Sequence, residues 1–254
     1  MLYGLYQSSL GAELQSRRME VLSNNMANSE TSSFKRDLSI IQTLPAQREP
    51  HHQLEVPENL RDHAGPVTIA QTFTDHRVGS VKQTGGSLDV AITGPGFFRV
   101  DNDGEFLLSR AGELEIGLDQ KLIQADTGLP LVQQDNKPII VPADSLGIEI
   151  SNDGFVYSQQ PGGDKALLGQ LDVVEPRDYN QLEKVGDSLY RSSGENQQVK
   201  QKLSIKQGFI EQSNVEPLSE LTDLMQSSRL FEANLNLIKS QDQSLSQLLQ
   251  SVGS

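Results

Sequence analysis

Gly85-Gly86-Ser87-Leu88-Asp89-Val90-Ala91-Ile92-Thr93-Gly94-Pro95-Gly96-Phe97-Phe98-Arg99-Val100 is the stretch on which the reading of the chain turns. Leu88, Val90 and Ile92 alternate with Asp89, Ala91 and Thr93, a period of two that places alternate side chains on opposite faces of a strand. Gly94-Pro95-Gly96 then breaks the chain, and Phe97 opens a second apolar run. Asn102-Asp103-Gly104 follows with residues that tolerate positive φ at a hairpin turn, and Asn152-Asp153-Gly154 repeats the signal. Further strands are predicted over 106–109, 129–132, 139–141, 155–157 and 168–174, a spacing typical of an all-β sandwich or irregular barrel over 85–207.

On the N-terminal side the period changes. Tyr3, Tyr6, Leu10, Leu14, Val21, Leu22 and Met26 recur at spacings near three and four, which predicts an amphipathic helix. Asn28-Ser29-Glu30-Thr31-Ser32-Ser33 ends it, because short polar side chains compete for backbone hydrogen bonds and favour turns. The segment 35–84 carries Pro45, Pro50, Pro57 and Pro66 with little periodicity and reads as an extended connector lying along other surfaces.

On the C-terminal side, over 208–254, Pro217 suits a first helical position, where its missing N–H costs nothing. Positions 221, 224, 228, 231, 235, 238, 242, 245 and 249 then alternate spacings of three and four and are apolar except at Ser228 and Asp242. A heptad seam of this length asks for a partner helix, and the N-terminal helix over 1–34 is the obvious one. The expected fold class is therefore α+β: terminal helices packed as a coiled-coil-like helical domain, with an all-β domain inserted between them. Periodicity alone leaves open whether this pair merely caps a globular protein or serves an assembly.

Composition narrows the function. A net charge of −13, from 34 acidic and 21 basic residues, argues against nucleic acid, whose phosphates draw on clustered Lys and Arg. With no Cys there is neither a disulfide nor a thiolate metal site, and the compartment stays open. The first residues lack the basic start and apolar run of a cleaved signal peptide, and no stretch approaches the roughly 18 to 20 apolar residues of a membrane span.

Chemical motifs are weak. Asp101-Asn102-Asp103-Gly104-Glu105 resembles the opening of a calcium loop but lacks Gly at the sixth and Glu at the twelfth position, so a hairpin turn is the better reading. His51, His52, His63 and His76 follow no metal-ligand spacing and read as loop residues. No nucleophile elbow, phosphate loop, dinucleotide fingerprint or His-Glu-x-x-His is present. No catalytic residue, metal ligand or cofactor is assigned.

Three separated segments resemble the flagellar axial proteins, the bacterial rod and hook subunits. Asn24-Asn25-Met26-Ala27-Asn28 followed by Thr31-Ser32-Ser33-Phe34-Lys35 is similar to the family's Asn-Asn-x-Ala-Asn and Thr-x-Gly-Phe-Lys, with Ser33 in place of the glycine. Leu88, Asp89, Ala91, Ile92, Gly94, Gly96, Phe97 and Phe98 match Leu-Asp-x-Ala-Ile-x-Gly-x-Gly-Phe-Phe, and Ser109-Arg110-Ala111-Gly112 stands for Thr-Arg-x-Gly. Gly208-Phe209-Ile210-Glu211-Gln212-Ser213-Asn214-Val215 and Arg229-Leu230-Phe231-Glu232-Ala233-Asn234 resemble Gly-x-x-Glu-x-Ser-Asn-Val and Arg-x-(Tyr/Phe)-Glu-x-Asn, and Glu216 replaces the usual Asp or Asn cap.

The resemblance implies a non-enzymatic subunit of the basal-body rod, exported through the flagellar type III apparatus without signal cleavage into a periplasmic shaft that carries torque to the hook. Its partners would be copies of itself, neighbouring rod and hook proteins and the export apparatus, with neither nucleic acid nor membrane embedding. The length resembles the proximal and distal rod proteins, and the stretch from Leu171 to Tyr190 leans towards the proximal type. The expected assembly residues are Leu10, Leu14, Val21, Asn24, Asn25 and Asn28 on the first helix, with Leu221, Leu224, Phe231, Leu235, Ile238 and Leu245 on the last. The asparagines can either cap their own chain or bond a neighbour, and Arg229 and Glu232 can pair on their own helix. The alternative from a different class is a β-domain binding or adhesion module on a helical stalk.

Overall fold

The computed structural model describes residues 2–43, 67–186, 188–198 and 204–252. They form two compact units: Met1–Asn28, Arg36–Asp75 and Val215–Ser254 make one, and Ser29–Lys35 with His76–Asn214 makes the other.

The second unit is built of short antiparallel strands: β3 (Val81–Gln83), β4 (Val90–Ile92), β5 (Phe97–Asn102), β6 (Glu105–Ser109), β7 (Leu114–Ile116), β8 (Leu122–Gln124), β9 (Gly147–Ile150), β10 (Phe155–Gln159), β11 (Lys165–Gln170), β12 (Val173–Pro176), β13 (Leu182–Gly186), β14 (Leu189–Ser192), β15 (Asn196–Gln198), β16 (Ile205–Gln207) and β17 (Phe209–Glu211). A six-stranded sheet runs in the order β13-β14-β6-β5-β12-β15, and β11-β10-β9 forms a second sheet. The pairs β4–β16 and β3–β17 join the start of the unit to its end.

The hairpin between β5 and β6 shows how local sequence sets register. Asp103 and Gly104 both take positive φ, 52° and 93°, and Asn102 pairs with Glu105 across the turn. This is the twist that two-residue hairpins require. Alternation along β5 then sends Phe98 and Val100 into the main core with Ile92, Leu107, Leu122, Leu131, Ile139 and Ile205. Phe97 points the other way, into a second cluster with Leu108, Val174 and Tyr190.

The first unit holds helix α1 (Leu2–Ala27), strands β1 (Asp37–Thr43) and β2 (Val67–Thr74), and helix α2 (Pro217–Val252). The span read as an extended connector thus carries an antiparallel ribbon, from Asp37↔Thr74 to Thr43↔Val67. Residues 44–66 of that span, with His51, His52 and His63, lie outside the described residues. At the end of α1, the backbone N–H and the side-chain amide of Asn28 both donate to the Asn24 carbonyl, at 3.1 and 3.0 Å. At the start of α2, Glu220 lies in the first turn, where a carboxylate complements the helix dipole.

The chain is α+β, but the expected coiled-coil-like helical domain needs correction. The helices run antiparallel, and the α2 residues seen against α1 are polar: Glu220 beside Asn25, Asn234 beside Gly11 and Gln241 beside Gly4. Glu220 and Ser227 are buried and polar, while the expected seam residues Leu221 and Leu235 are 43% and 37% exposed. A Cβ at Gly4 would lie 3.1 Å from the Gln241 amide, and one at Gly11 would lie 3.1 Å from that of Asn234. Glycines facing amides allow close approach without an apolar seam, and nothing in the structure supports a coiled coil.

Leu122 is fully buried in the main core, whereas Leu118, four residues earlier, is fully exposed. Leu122→Ala is expected to cost about 3 kcal/mol through lost burial and a residual cavity, and Leu118→Ala less than about 0.5 kcal/mol. Urea unfolding of the two variants measures the contrast.

Candidate functional site

In the helical unit, Asn25 is wholly buried and acts as a piece of backbone would. Its amide nitrogen donates to the Asp37 carbonyl at 2.8 Å, and its amide oxygen accepts from the Asp37 N–H at 2.9 Å. The same nitrogen reaches Glu220 Oε2 at 3.2 Å, and Glu220 is also ion-paired with Arg36. Asn25 therefore holds α1, β1 and α2 together.

Of the other expected assembly residues, Leu14 is buried, Leu10, Val21 and Asn28 are half-buried, and Asn24 is exposed. On α2, Leu224, Phe231, Ile238 and Leu245 are half-buried. Leu218, Met225, Leu230, Leu237 and Leu248 are exposed beside them, Leu218 to 76%. Both flanks of the covered stripe on this helix are thus apolar.

In the β unit, the three family-like motifs meet at one carboxylate. Glu211, from Gly208-x-x-Glu211, receives Arg110 Nε at 2.7 Å and is ion-paired with Lys35. Lys35, Glu211 and Arg110 side chains are 0%, 1% and 2% exposed. Further bonds hold them: Lys35 Nζ donates to the Arg77 carbonyl at 2.9 Å, and the Gly79 N–H donates to Glu211 Oε1 at 2.8 Å. Arg110 donates to the carbonyls of Gly96, Gly94 and Ile92 at 2.7, 3.0 and 3.2 Å. Gly94 and Gly96 have φ of 118° and 120°, a region open to glycine, and their carbonyls face the guanidinium. The Gly-x-Gly break in the sequence is therefore the acceptor cage of Arg110.

The motif residues of the strands are packing residues. Ala91, Ile92, Phe97 and Phe98 are buried, and Leu88 packs on the main core. The Asp89 carbonyl accepts the Gly208 N–H at 2.8 Å, and its carboxylate takes the Thr84 hydroxyl. Gly112 is required by proximity, since a Cβ there would fall 1.7 Å from the Val90 carbonyl oxygen. The roles of Lys35, Arg110 and Glu211 escaped the sequence reading. The available signal was a charged residue inside each otherwise apolar or small motif.

Ser33 adopts φ 58°, the left-handed conformation for which glycine is suited, and is wholly buried. Its N–H donates to the Glu211 carbonyl at 2.8 Å, and its hydroxyl donates to the Arg110 carbonyl at 2.7 Å. The hydroxyl bond offsets the strain of a side chain in that region.

The other polar groups show structural geometry. Burial pushes the Asp172 carboxyl above its ordinary value, and Arg99, 2.6 Å away, offsets only part of that rise. His76 sits among the rings of Phe97, Tyr179 and Tyr190, 5.3 to 6.1 Å between centroids, and burial chiefly pushes the Tyr179 hydroxyl up. Among the described residues, no group of three or more His, Cys, Asp or Glu could hold a metal ion. No helix among them is long and apolar enough to cross a membrane.

Comparison with known proteins points one way. Residues 206–251 match the family described as flagellar basal body rod FlgEFG protein, C-terminal, and residues 91–158 match the flagellar hook protein FlgE/F/G D1 domain. The chain is 32% identical to the flagellar basal-body rod protein FlgG of Buchnera aphidicola subsp. Acyrthosiphon pisum, covering 98% of this chain and 100% of the relative. It is 32% identical to FlgG of Agrobacterium fabrum over 93% and 94% of the two chains. To the rod protein FlgF of Caulobacter vibrioides it is 28% identical over 85% and 84%.

Ser33 gives a paired prediction. Ser33→Ala keeps the strained φ and loses the buried hydroxyl bond, and is expected to cost about 1 to 3 kcal/mol. Ser33→Gly loses the same bond but relieves about 1 to 2 kcal/mol of left-handed strain, so it should melt measurably above Ser33→Ala. Thermal unfolding followed by circular dichroism ranks the two.

Proposed function

The chain belongs to the family of flagellar basal-body rod proteins and is a structural subunit of the rod; from that premise we propose how it assembles. It joins copies of itself and neighbouring rod and hook proteins in a periplasmic shaft that carries torque, which it reaches through the flagellar export apparatus. The role is structural, without catalysis or cofactor.

The observation that supports this reading is the apolar surface left on α2. Leu218, Leu221, Met225, Leu230, Leu235 and Leu237 are each more than a third exposed. Burying such a side chain contributes roughly 1.5 to 3 kcal/mol, so covering several against neighbouring subunits is a sufficient driving force. The proposed assembly surface is centred on α2 and extends to α1, the helix packed against it. It comprises Leu10, Leu14, Val21, Asn24, Asn25 and Asn28 with Leu221, Leu224, Phe231, Leu235, Ile238 and Leu245, the exposed members making contact and the buried ones holding the helices in place. An adhesion module on a stalk draws no support from the relatives, which are named flagellar basal-body rod proteins.

Leu235 separates contact from folding because it is already 37% exposed in the lone subunit. In cells lacking the native subunit, Leu235→Asp should abolish complete rods and hooks, while Gln247→Asp, also on α2, should leave them. The helical circular-dichroism signal of both purified chains should stay within about 10% of wild type, since an exposed substitution changes stability little. Normal rods with Leu235→Asp would remove α2 from the assembly surface.

A further inference from the structure

The chain enters and leaves the β unit through 29–35, 76–80 and 209–214, and these three segments are fastened to one another around Glu211. Ser33 N–H donates to the Glu211 carbonyl at 2.8 Å, and the Asn214 N–H donates to the Phe34 carbonyl at 3.3 Å. The Gln212 N–H donates to the Ser80 carbonyl at 2.8 Å, and the Gly79 N–H donates to the Glu211 carboxylate at 2.8 Å. A Cβ on Gly79 would fall 1.9 Å from the Gln212 carbonyl oxygen, so two of the segments touch backbone to backbone.

Little apolar burial backs these bonds. All three residues of β3 are exposed, and β17 is half-buried except at Glu211. Phe34 is the large apolar side chain buried in the first segment, and Lys184 lies over its ring at 3.8 Å. The main core, by contrast, is a continuous apolar cluster to which none of the three segments contributes a buried side chain. Local stability follows buried apolar contact, so a region held mainly by polar bonds, with Phe34 buried and His76 against the rings of Phe97, Tyr179 and Tyr190, opens at lower free energy than the main core.

We infer that Lys35, Glu211 and Arg110 form a clip that closes these three segments together and opens as one unit while the β core stays folded. Glu211 is its latch, because one carboxylate pairs with both buried cations. Removing it leaves both charges buried and unpaired, which is far more disruptive than losing a surface pair. The clip is a conformational device of the β unit.

Hydrogen–deuterium exchange on the full chain tests it, comparing wild type, Glu211→Gln and Lys35→Met. In Glu211→Gln the amides of Ser33, Gly79, Gln212 and Asn214 should exchange on the order of a hundredfold faster. The core amides of Leu122 and Val132 should keep their wild-type protection. Lys35→Met retains the Arg110–Glu211 pair, folds under milder loss, and should accelerate the same four amides by about tenfold with the core again unchanged. Clip and core amides accelerating together in Lys35→Met would show one cooperative unit and overturn the proposal. Unchanged exchange at the four amides in either variant would overturn it equally.

Discussion

A charge placed inside a protein must be answered there, and much of the β unit is arranged to answer Lys35 and Arg110. Glu211 supplies the counter-charge from the other end of the unit's sequence, which requires β17 to return beside β3. Arg110 still needs acceptors, and the left-handed glycines Gly94 and Gly96 bring backbone carbonyls to it. Ser33 must turn tightly to meet both the Arg110 and Glu211 carbonyls, and it takes positive φ to do so. The positive φ of Ser33, Gly94 and Gly96 therefore has one common physical origin, the need to satisfy buried charge.

The helical unit solves a related problem with neutral groups. Asn25 imitates a strand partner for Asp37 and reaches Glu220, so α1, β1 and α2 are joined by hydrogen bonds. Gly4 and Gly11 let α2 approach through Gln241 and Asn234. Polar closure at this contact leaves leucines on the flanks of α2 in solvent, an unfavourable arrangement for a lone chain and a useful one for a subunit.

Several strands and the hairpin turn were legible because their signals are local, whereas the strands expected over 129–132 and 139–141 form only isolated bridges, among them Val100↔Leu131 and Lys121↔Ile140. Period-two alternation marked 88–93, and Asn102-Asp103-Gly104 specified a turn by backbone preference alone. The helices were legible as helices for the same reason. Their mode of packing was not, because a heptad of leucines describes which face is greasy and says nothing of which face meets the partner. Here the contacts are made by Glu220, Asn234 and Gln241, one residue before the expected 221, 235 and 242, and the glycines opposite the last two reveal why. The ribbon of β1 and β2 was missed because two strands separated by a long insertion carry no turn signal between them. The cluster of Lys35, Arg110 and Glu211 joins positions up to 176 residues apart, and no local pattern could have paired them.

Whether this chain forms part of the flagellar rod can be measured on the organelle itself. Basal bodies purified from cells carrying an epitope-tagged chain in place of the native subunit, decorated with gold-conjugated antibody and imaged by electron microscopy, report its position. The account predicts gold confined to the rod of otherwise complete basal bodies. Rods free of gold, with the tagged chain recovered on the cell surface, would contradict it.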